Sequence, residues 1–216
     1  MKIYFTDSTD DIINTIFCLG LNYSDHITDM SHKQSETPVI FIKPETSICY
    51  NEELITIPNL SQRMDYELEM LIYLKQGGMN LNAQDAGKCI GAYGVGIDLT
   101  LRDLQQKAKE KGLPWSVAKG FFHSAPISYF KKVDNSDLLN NLNMQLYVNN
   151  QIKQTVNTSQ MIFKPIDIIC YLSHFFPLKQ GDIIFTGTPS GIGQLYSGDR
   201  VYASIDGDLE LNISIR

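Results

Sequence analysis

Two glutamates separated by one residue, Glu67 and Glu69, are the feature of this sequence that points most directly to chemistry. They lie in a run, residues 65–74, whose alternating apolar residues predict a strand, and strand residues two apart project from the same face. Leu71 and Tyr73 continue that face, so the two carboxylates enter a region buried on both sides. Carboxylates placed side by side there repel each other, and a divalent cation would neutralise them. The alternative is a solvated strand face with two ordinary glutamates.

A third carboxylate, Asp98, ends a glycine-rich, strand-like run at residues 91–97. Glycine inside a strand marks the close approach of a backbone or a ligand. Three carboxylates without His or Cys form a hard-oxygen site, which favours Mg²⁺ or Mn²⁺ over Zn²⁺. Three protein ligands would leave about three positions of a Mg²⁺ octahedron to water or substrate. The trio therefore predicts a metal site with a catalytic rather than a structural role.

Strand-like runs dominate the elements that would position these residues. They are mostly short, rich in β-branched and aromatic residues, and bounded by Gly, Pro, Asn or Asp. They cover residues 38–42, 66–74, 90–97, 143–148, 182–186, 200–205 and 209–215. Asn149 and Asn150 follow one of these runs and predict a two-residue hairpin turn, because asparagine tolerates a positive φ.

Helical patterns are few. Residues 101–111 predict a surface helix with Thr100 as a possible N-cap, and Pro165–Phe175 predicts a more buried helix opened by its proline. Strands outnumber helices and do not alternate with them regularly, which argues against a doubly wound parallel sheet. The sequence therefore predicts an α+β fold that is predominantly β.

Composition limits the class of protein. The 216 residues are 43% hydrophobic and 19% charged, which predicts a single globular domain over residues 1–216, with residues 1–19 as a short lead-in. The net charge of −6 argues against binding to nucleic acid or to an anionic membrane. Four widely spaced cysteines form no zinc or redox motif, and the acidic N-terminal stretch is unlike a signal peptide. We therefore expect a cytoplasmic protein.

Nine short motifs occur in an order that identifies a family resemblance. They are GLNYSDH at residues 20–26, FIKP at 41–44, ELE at 67–69, DLTLRD at 98–103, KGLPW at 111–115, AK at 118–119, NTSQMIF at 157–163, GDII at 181–184 and TGTPSGIG at 186–193. The ordered set resembles the fumarylacetoacetate hydrolase family, especially its short acylpyruvase and oxaloacetate decarboxylase members. The resemblance covers residues 20–215, which is nearly the whole sequence.

The resemblance implies a mixed β-sandwich roll that is expected to form a homodimer. It also implies that Glu67, Glu69 and Asp98 hold Mg²⁺ or Mn²⁺.

The same resemblance assigns the catalytic residues. His26 corresponds to the catalytic histidine, Asp29 to its acidic partner and Lys119 to the active-site lysine. Asp29 stands where the family has Glu, so its carboxylate is one methylene shorter. A carboxylate on one ring nitrogen would fix the histidine tautomer and leave the other nitrogen to take a proton from water.

Four further residues are predicted to bind the substrate: Lys43, Arg102, Gln105 and Thr188. For Lys43 and Arg102 the alternative is an ordinary ion pair with Asp103 and its neighbours. Gln105 lies three residues after Arg102 on the predicted helix, so it could face the same pocket or be solvated.

The reaction that the resemblance implies is hydrolysis of the C–C bond of acylpyruvates, decarboxylation of oxaloacetate, or both, through a metal-stabilised enolate. Lys119 would supply positive charge, or a proton, where the oxygen or carbon of that enolate develops charge. The partner is then a small 2-oxo acid. Two alternatives are an isomerase or hydratase of 2-hydroxy-dienoate acids from aromatic catabolism, and a catalytically silent member of the family.

Overall fold

A computed structural model describes residues 1–23 and 36–216. The predicted catalytic residues His26 and Asp29 lie outside these residues. The described part contains eighteen strands: β1 (Lys2–Tyr4), β2 (Asp10–Ile12), β3 (Ile16–Gly20), β4 (Val39–Lys43), β5 (Ile48–Cys49), β6 (Leu54–Ile55), β7 (Met64–Tyr66), β8 (Leu68–Leu74), β9 (Ile90–Ile97), β10 (Thr100–Leu101), β11 (Ala125–Pro126), β12 (Lys131–Lys132), β13 (Asn143–Val148), β14 (Gln151–Asn157), β15 (Ile183–Phe185), β16 (Gly193–Leu195), β17 (Arg200–Ile205) and β18 (Leu209–Ile215).

The same residues form four α-helices and three short 3₁₀ turns. The helices are α1 (Ala83–Cys89), α2 (Arg102–Glu110), α3 (Ser116–Lys119) and α4 (Pro165–Phe175), and the turns are Glu45–Ser47, Ser136–Asn140 and Thr158–Gln160. The predicted fold class, α+β and predominantly β, is confirmed.

Two large sheets enclose the main core. One has the strand order β12-β9-β8-β15-β3-β4 and the other has the order β14-β13-β17-β18-β6. Most pairs are antiparallel, but β3 runs parallel to β15 and β6 runs parallel to β18, so both sheets are mixed. Ile72 and Val95 of the first sheet belong to the same buried cluster as Ala203 and Leu211 of the second. The fold is therefore a β-sandwich whose inner faces supply the apolar core.

Five elements begin and end at the residues that the sequence predicted, namely β9, β13, β17, β18 and α4. The predicted hairpin is also confirmed, because Asn149 and Asn150 have φ of 50° and 64° and connect β13 to β14.

Two predictions of local structure were wrong. The strand predicted over residues 66–74 is interrupted at Glu67, which lies between β7 and β8. Thr100 does not cap α2, since it lies in β10 and Leu101 is the residue before the helix. The Thr100 hydroxyl instead accepts a hydrogen bond from the Lys119 Nζ at 2.7 Å.

The pairing of β8 with β9 brings the acidic residues together. Glu69 lies opposite Gly96 in the antiparallel register, and the Asp98 amide donates to the Glu67 carbonyl at 2.8 Å. A side chain at position 96 would meet Leu71 and Phe185 within about 3 Å. Glycine at this position therefore allows the strand that leads to Asp98 to pack closely against its neighbours.

Helices long and apolar enough to cross a membrane do not occur among residues 1–23 and 36–216.

Candidate active site

The three predicted metal ligands form one buried cluster at the ends of β7, β8 and β9. One carboxylate oxygen from each of Glu67, Glu69 and Asp98 lies within 4.8 Å of the other two. All three residues are buried. The carboxylate of Glu67 lies beside that of Glu69 although the strand is interrupted at Glu67.

Cations contact two members of this cluster. The Lys119 Nζ lies 2.7 Å from Glu67 Oε2 and 2.5 Å from Asp98 Oδ2, and Arg102 Nη2 also pairs with Glu67. Burial would raise the pKa of Glu67, but the charges of Lys119 and Arg102 outweigh it and hold this pKa well below its usual range. Glu67 is thus ionised.

Glu69 differs from the other two because the described residues place no cation against it. Its Oε2 accepts a hydrogen bond from the Gly187 amide at 2.6 Å, and its Oε1 is buried without a hydrogen-bond partner in the described structure. Burial, together with the charges of Asp98 and Glu67, raises its pKa well above the usual range. A hard divalent cation fits this cluster, because it would contact the unpartnered oxygen and favour the ionised form of Glu69.

Lys119 ends the short helix α3 and points its ammonium into the cluster. Burial alone would lower its pKa, but the carboxylates of Asp98 and Glu67 raise this pKa above its ordinary value. Lys119 therefore places a positive charge beside the carboxylates of Glu67 and Asp98.

Lys43 lies behind the cluster, away from the pocket. Its side chain has 0% exposure, and its Nζ lies 2.8 Å from Asp98 Oδ1. The same Nζ donates to the Ser124 carbonyl at 2.9 Å and to the Ser124 hydroxyl at 3.0 Å, and it also donates to the carbonyls of Leu99 and Lys119. This enclosed position differs from the predicted contact with substrate. The ion pair with Asp98 is the arrangement that the structure shows for this residue.

A narrow pocket of about 40 Å³ leads to Glu67 and Lys119. Other residues that line it come from β3 and the residue after it, from β4, from α2 and the segment that follows it, and from the loop after β15: Leu19, Gly20, Leu21, Phe41, Arg102, Gln105, Lys109, Trp115 and Thr188. Three of the four predicted substrate-binding residues, Arg102, Gln105 and Thr188, thus border the pocket.

The polar groups of these three residues are held in place. Arg102 Nη1 donates to Gln105 Oε1 at 2.6 Å, and Arg102 Nε donates to Asp65 Oδ2 at 2.9 Å. Arg102 therefore pairs with Asp65 and Glu67, not with Asp103 as the ion-pair alternative supposed. The Thr188 hydroxyl accepts a hydrogen bond from Gln154 Nε2 at 3.0 Å.

Sequence reasoning missed three residues of this site: Asp65, Gly187 and Lys109. Asp65 is fully buried and pairs with both Arg63 and Arg102. The signal for Asp65 was present, because residues 65, 67 and 69 continue one acidic alternation. Gly187 acts through its amide, and Lys109 lies seven residues after Arg102, a spacing that puts both on one face of a helix.

A second group that could hold a metal consists of Cys49, Glu53 and His123. These donors are already engaged with one another, since His123 Nε2 lies 3.5 Å from Glu53 Oε2 and the Cys49 thiol donates to the His123 carbonyl at 3.6 Å. Burial and the charge of Glu53 raise the pKa of the Cys49 thiol. This group does not border the pocket described above.

Comparison with known proteins agrees with this geometry. Residues 15–214 match the family model of the fumarylacetoacetate (FAA) hydrolase C-terminal domain. The chain belongs to the fumarylacetoacetate hydrolase family. This membership confirms the resemblance found in the sequence.

Three relatives illustrate the activities in this family. The chain is 38% identical over 196 residues to the oxaloacetate tautomerase YcgM of Escherichia coli, covering 90% of each chain. Among solved structures, fumarylpyruvate hydrolase from Pseudomonas aeruginosa in complex with Mn²⁺ and pyruvate superposes with a TM-score of 0.95 at 29% identity, covering 100% of this chain and 95% of that one. A 5-carboxymethyl-2-hydroxymuconate delta-isomerase from Mycobacterium smegmatis has a TM-score of 0.83 at 28% identity, covering 94% of this chain and 79% of that one.

Proposed function

We propose that this protein is a divalent-metal-dependent enzyme that acts on small 2-oxo acids by stabilising their enolate form. The observation that carries the proposal is the buried cluster of Glu67, Glu69 and Asp98, with Lys119 beside it at the base of a pocket. Glu67, Glu69 and Asp98 would hold Mg²⁺ or Mn²⁺, because all their donors are hard carboxylate oxygens. The Mn²⁺ in the fumarylpyruvate hydrolase structure supports a metal in this family.

The described residues can stabilise negative charge on a substrate. When bound, the divalent cation would act as a Lewis acid toward a 2-oxo group and its neighbouring carboxylate. Lys119 places a fixed ammonium next to the same carboxylates, where an enolate oxygen would carry its charge. Gln105 and Thr188, on the pocket wall, offer polar groups that orient the substrate.

Oxaloacetate keto–enol tautomerisation is the reaction that we propose first. It requires stabilisation of the enolate and movement of one proton, but no attack by water. The E. coli relative is named an oxaloacetate tautomerase, which supports this choice. Decarboxylation of oxaloacetate belongs to the same proposal, because loss of carbon dioxide leaves the same type of enolate.

Hydrolytic cleavage of an acylpyruvate is the second candidate, and the likeness to fumarylpyruvate hydrolase favours it. This reaction additionally needs a base that activates water. His26, with Asp29 as its partner, remains the predicted base for that step. The same enolate chemistry with a proton moved along a dienoate would give an isomerase, as in the Mycobacterium smegmatis neighbour.

The test supplies the purified protein with oxaloacetate and with acetylpyruvate, each with Mn²⁺, with Mg²⁺ and with EDTA. Loss of enol absorbance reports tautomerisation, loss of diketone absorbance reports hydrolysis, and released pyruvate reports decarboxylation or cleavage. We expect metal-dependent tautomerisation that falls about 100- to 1,000-fold in Lys119→Met. Lys131→Met, which removes an exposed lysine paired with Asp208, is the matched control.

Each outcome of this test has a defined meaning. Absence of metal-dependent turnover of both substrates would refute the proposal. Acetylpyruvate cleavage that is lost in His26→Ala, with oxaloacetate turnover retained, would establish the hydrolase as a second activity with its own base.

A further inference from the structure

Lys109 presents a positive charge to the pocket that the described residues do not neutralise. It lies on the face of α2 that also carries Arg102 and Gln105, at a spacing of three and then four residues. Its ammonium lies 5.2 Å from the centre of the Trp115 ring, and the residue is half-buried. No carboxylate of residues 1–23 or 36–216 lies within ion-pair distance of it. Binding of an anion next to such a group is therefore favourable.

Two further cations and one carboxylate surround Lys109. Arg102 and Lys119 are its cationic neighbours, and together with burial they lower its pKa. Glu67 is the acidic neighbour, but both of its oxygens are already paired with Arg102 and Lys119. An incoming anion would therefore meet a cation that has no competing partner among the described residues.

The position of Lys109 separates it from the acidic cluster. Along an α-helix each residue advances about 1.5 Å, so the backbone of Lys109 lies roughly 10 Å beyond that of Arg102, and its long side chain reaches back to the pocket that Arg102 also lines. Arg102 contacts Glu67 directly, whereas Lys109 does not. Lys109 therefore lines the same pocket as Glu67 and Lys119 without pairing with the cluster, so it is available to the far end of a short substrate held there by its 2-oxo end.

We propose that Lys109 binds the distal carboxylate of a 2-oxo dicarboxylate and makes the enzyme prefer such substrates to 2-oxo acids with an uncharged far end. The inference rests on the proposed function and adds to it the residue that recognises the second carboxylate of the substrate. Trp115 supports this role, because its ring lies under the ammonium and packs against Phe41 at a ring-centre distance of 5.9 Å.

A purely structural lysine would behave differently. If Lys109 served only to cover Trp115, its replacement would change the shape of the pocket and would therefore alter KM for all substrates alike. A carboxylate-binding lysine instead changes KM for the substrate with a second carboxylate and leaves the other substrate unaffected. The substrate dependence of KM therefore distinguishes the two roles.

The experiment compares Lys109→Met with the wild type on oxaloacetate and on acetylpyruvate in the presence of Mn²⁺. Methionine keeps an apolar stem over Trp115 and removes the charge. We expect KM for oxaloacetate to rise about 10- to 100-fold with little change in kcat, and KM for acetylpyruvate to stay within about twofold. Lys109→Arg should recover most of the oxaloacetate KM, and Lys107→Met, an exposed lysine of the same helix, is the matched control.

Equal changes of KM for both substrates, or no change for either, would overturn the assignment. A protein that turns over neither substrate refutes the proposed function separately, and calorimetric titration of the Mn²⁺-loaded protein then tests Lys109 alone. The wild type should bind oxaloacetate more tightly than pyruvate, which has one carboxylate, and Lys109→Met should lose this preference. A wild type without the preference, including one that binds neither ligand, also overturns the assignment.

Discussion

At the scale of single residues, the buried carboxylates differ in how they are neutralised. Asp65 contacts Arg63 and Arg102, Asp98 contacts Lys43 and Lys119, and Glu67 contacts Arg102 and Lys119. Glu69 contacts only a backbone amide among the described residues. Because an isolated buried charge is costly, Glu69 is the group that gains most from a bound cation.

Glu69→Gln should therefore weaken metal binding without destabilising the fold. The amide keeps the shape of the side chain but removes the charge, so we expect Mn²⁺ affinity to fall about 100-fold or more. The metal-free variant should be at least as stable as the metal-free wild type in denaturant unfolding at neutral pH, because burial raises the pKa of Glu69 and so opposes the ionised form that the unfolded chain adopts. Mn²⁺ binding is followed by electron paramagnetic resonance.

Glu53→Gln is the matched control for this change, because Glu53 belongs to the second group with metal-ligand chemistry. It should leave Mn²⁺ affinity unaltered. Loss of Mn²⁺ binding in Glu53→Gln with retention in Glu69→Gln would place the metal at Cys49, Glu53 and His123 instead.

Lys43→Met is expected to be strongly destabilising. The substitution leaves Asp98 with Lys119 as its one remaining cation among the described residues, and it removes the buried donor to both oxygens of Ser124. Loss of one partner of a buried ion pair typically costs about 3–5 kcal/mol. The measurement is urea unfolding. The control is Lys2→Met, which removes an exposed partner of Asp10 and should change stability by less than about 1 kcal/mol. Equal destabilisation by Lys43→Met and Lys2→Met would contradict this account.

At the scale of elements, the loop after β15 contacts both the carboxylate cluster and the pocket. Gly187 has φ +93° and donates its amide to Glu69, and Thr188 lines the pocket one residue later. A Cβ at Gly187 would lie 2.8 Å from the Cβ of Asn22. The Asn22 side chain in turn donates to the Thr186 carbonyl at 2.7 Å, so the loop has little room to move.

Gly187→Ala tests this loop against Gly198→Ala. Both glycines have a φ above +90°, but a Cβ at Gly198 would meet nothing within 4 Å. Backbone strain is thus common to both variants, and only Gly187→Ala adds a clash. We expect Gly187→Ala to be less stable than Gly198→Ala by about 1–3 kcal/mol in chemical unfolding, and to bind Mn²⁺ more weakly. Equal stability of the two variants would refute the role assigned to this packing.

The elements also show what the sequence could predict. Long alternating runs, such as those of β13, β17 and β18, carry enough periodicity to fix their bounds. Strands of two or three residues, such as β5, β7 and β10, carry no periodic signal, and the interruption at Glu67 follows from pairing β7 with β10 and β16. The clustering of the three carboxylates was predictable, for Glu67 and Glu69 from their spacing and for Asp98 from its place at the end of a glycine-rich strand. The enclosed position of Lys43 was not, because it depends on where residues 119–124 return against β4.

At the scale of the whole molecule, the candidate metal cluster joins segments that are distant in sequence. Glu69 and Gly187 are 118 residues apart, Lys119 and Glu67 are 52 apart, and Lys43 and Ser124 are 81 apart. The three carboxylates lie together only when the first sheet is assembled, since β8 and β9 must pair to bring Asp98 to Glu67. A cation bound there would favour the folded state over the unfolded chain.

Metal binding should therefore raise the thermal stability of the entire domain. A ligand present at about 100 times its Kd stabilises the folded state by about 2.7 kcal/mol, which corresponds to a shift of roughly 5–10 °C for a chain of this length. We expect Tm to rise with Mn²⁺ concentration without reaching a plateau, and EDTA to reverse the rise. Calorimetry should show one transition, because the three carboxylates lie on β8 or at the adjoining ends of β8 and β9, which are neighbours in one sheet. An unchanged Tm at millimolar Mn²⁺, or an equal rise in Glu69→Gln, would show that the cluster does not hold the metal.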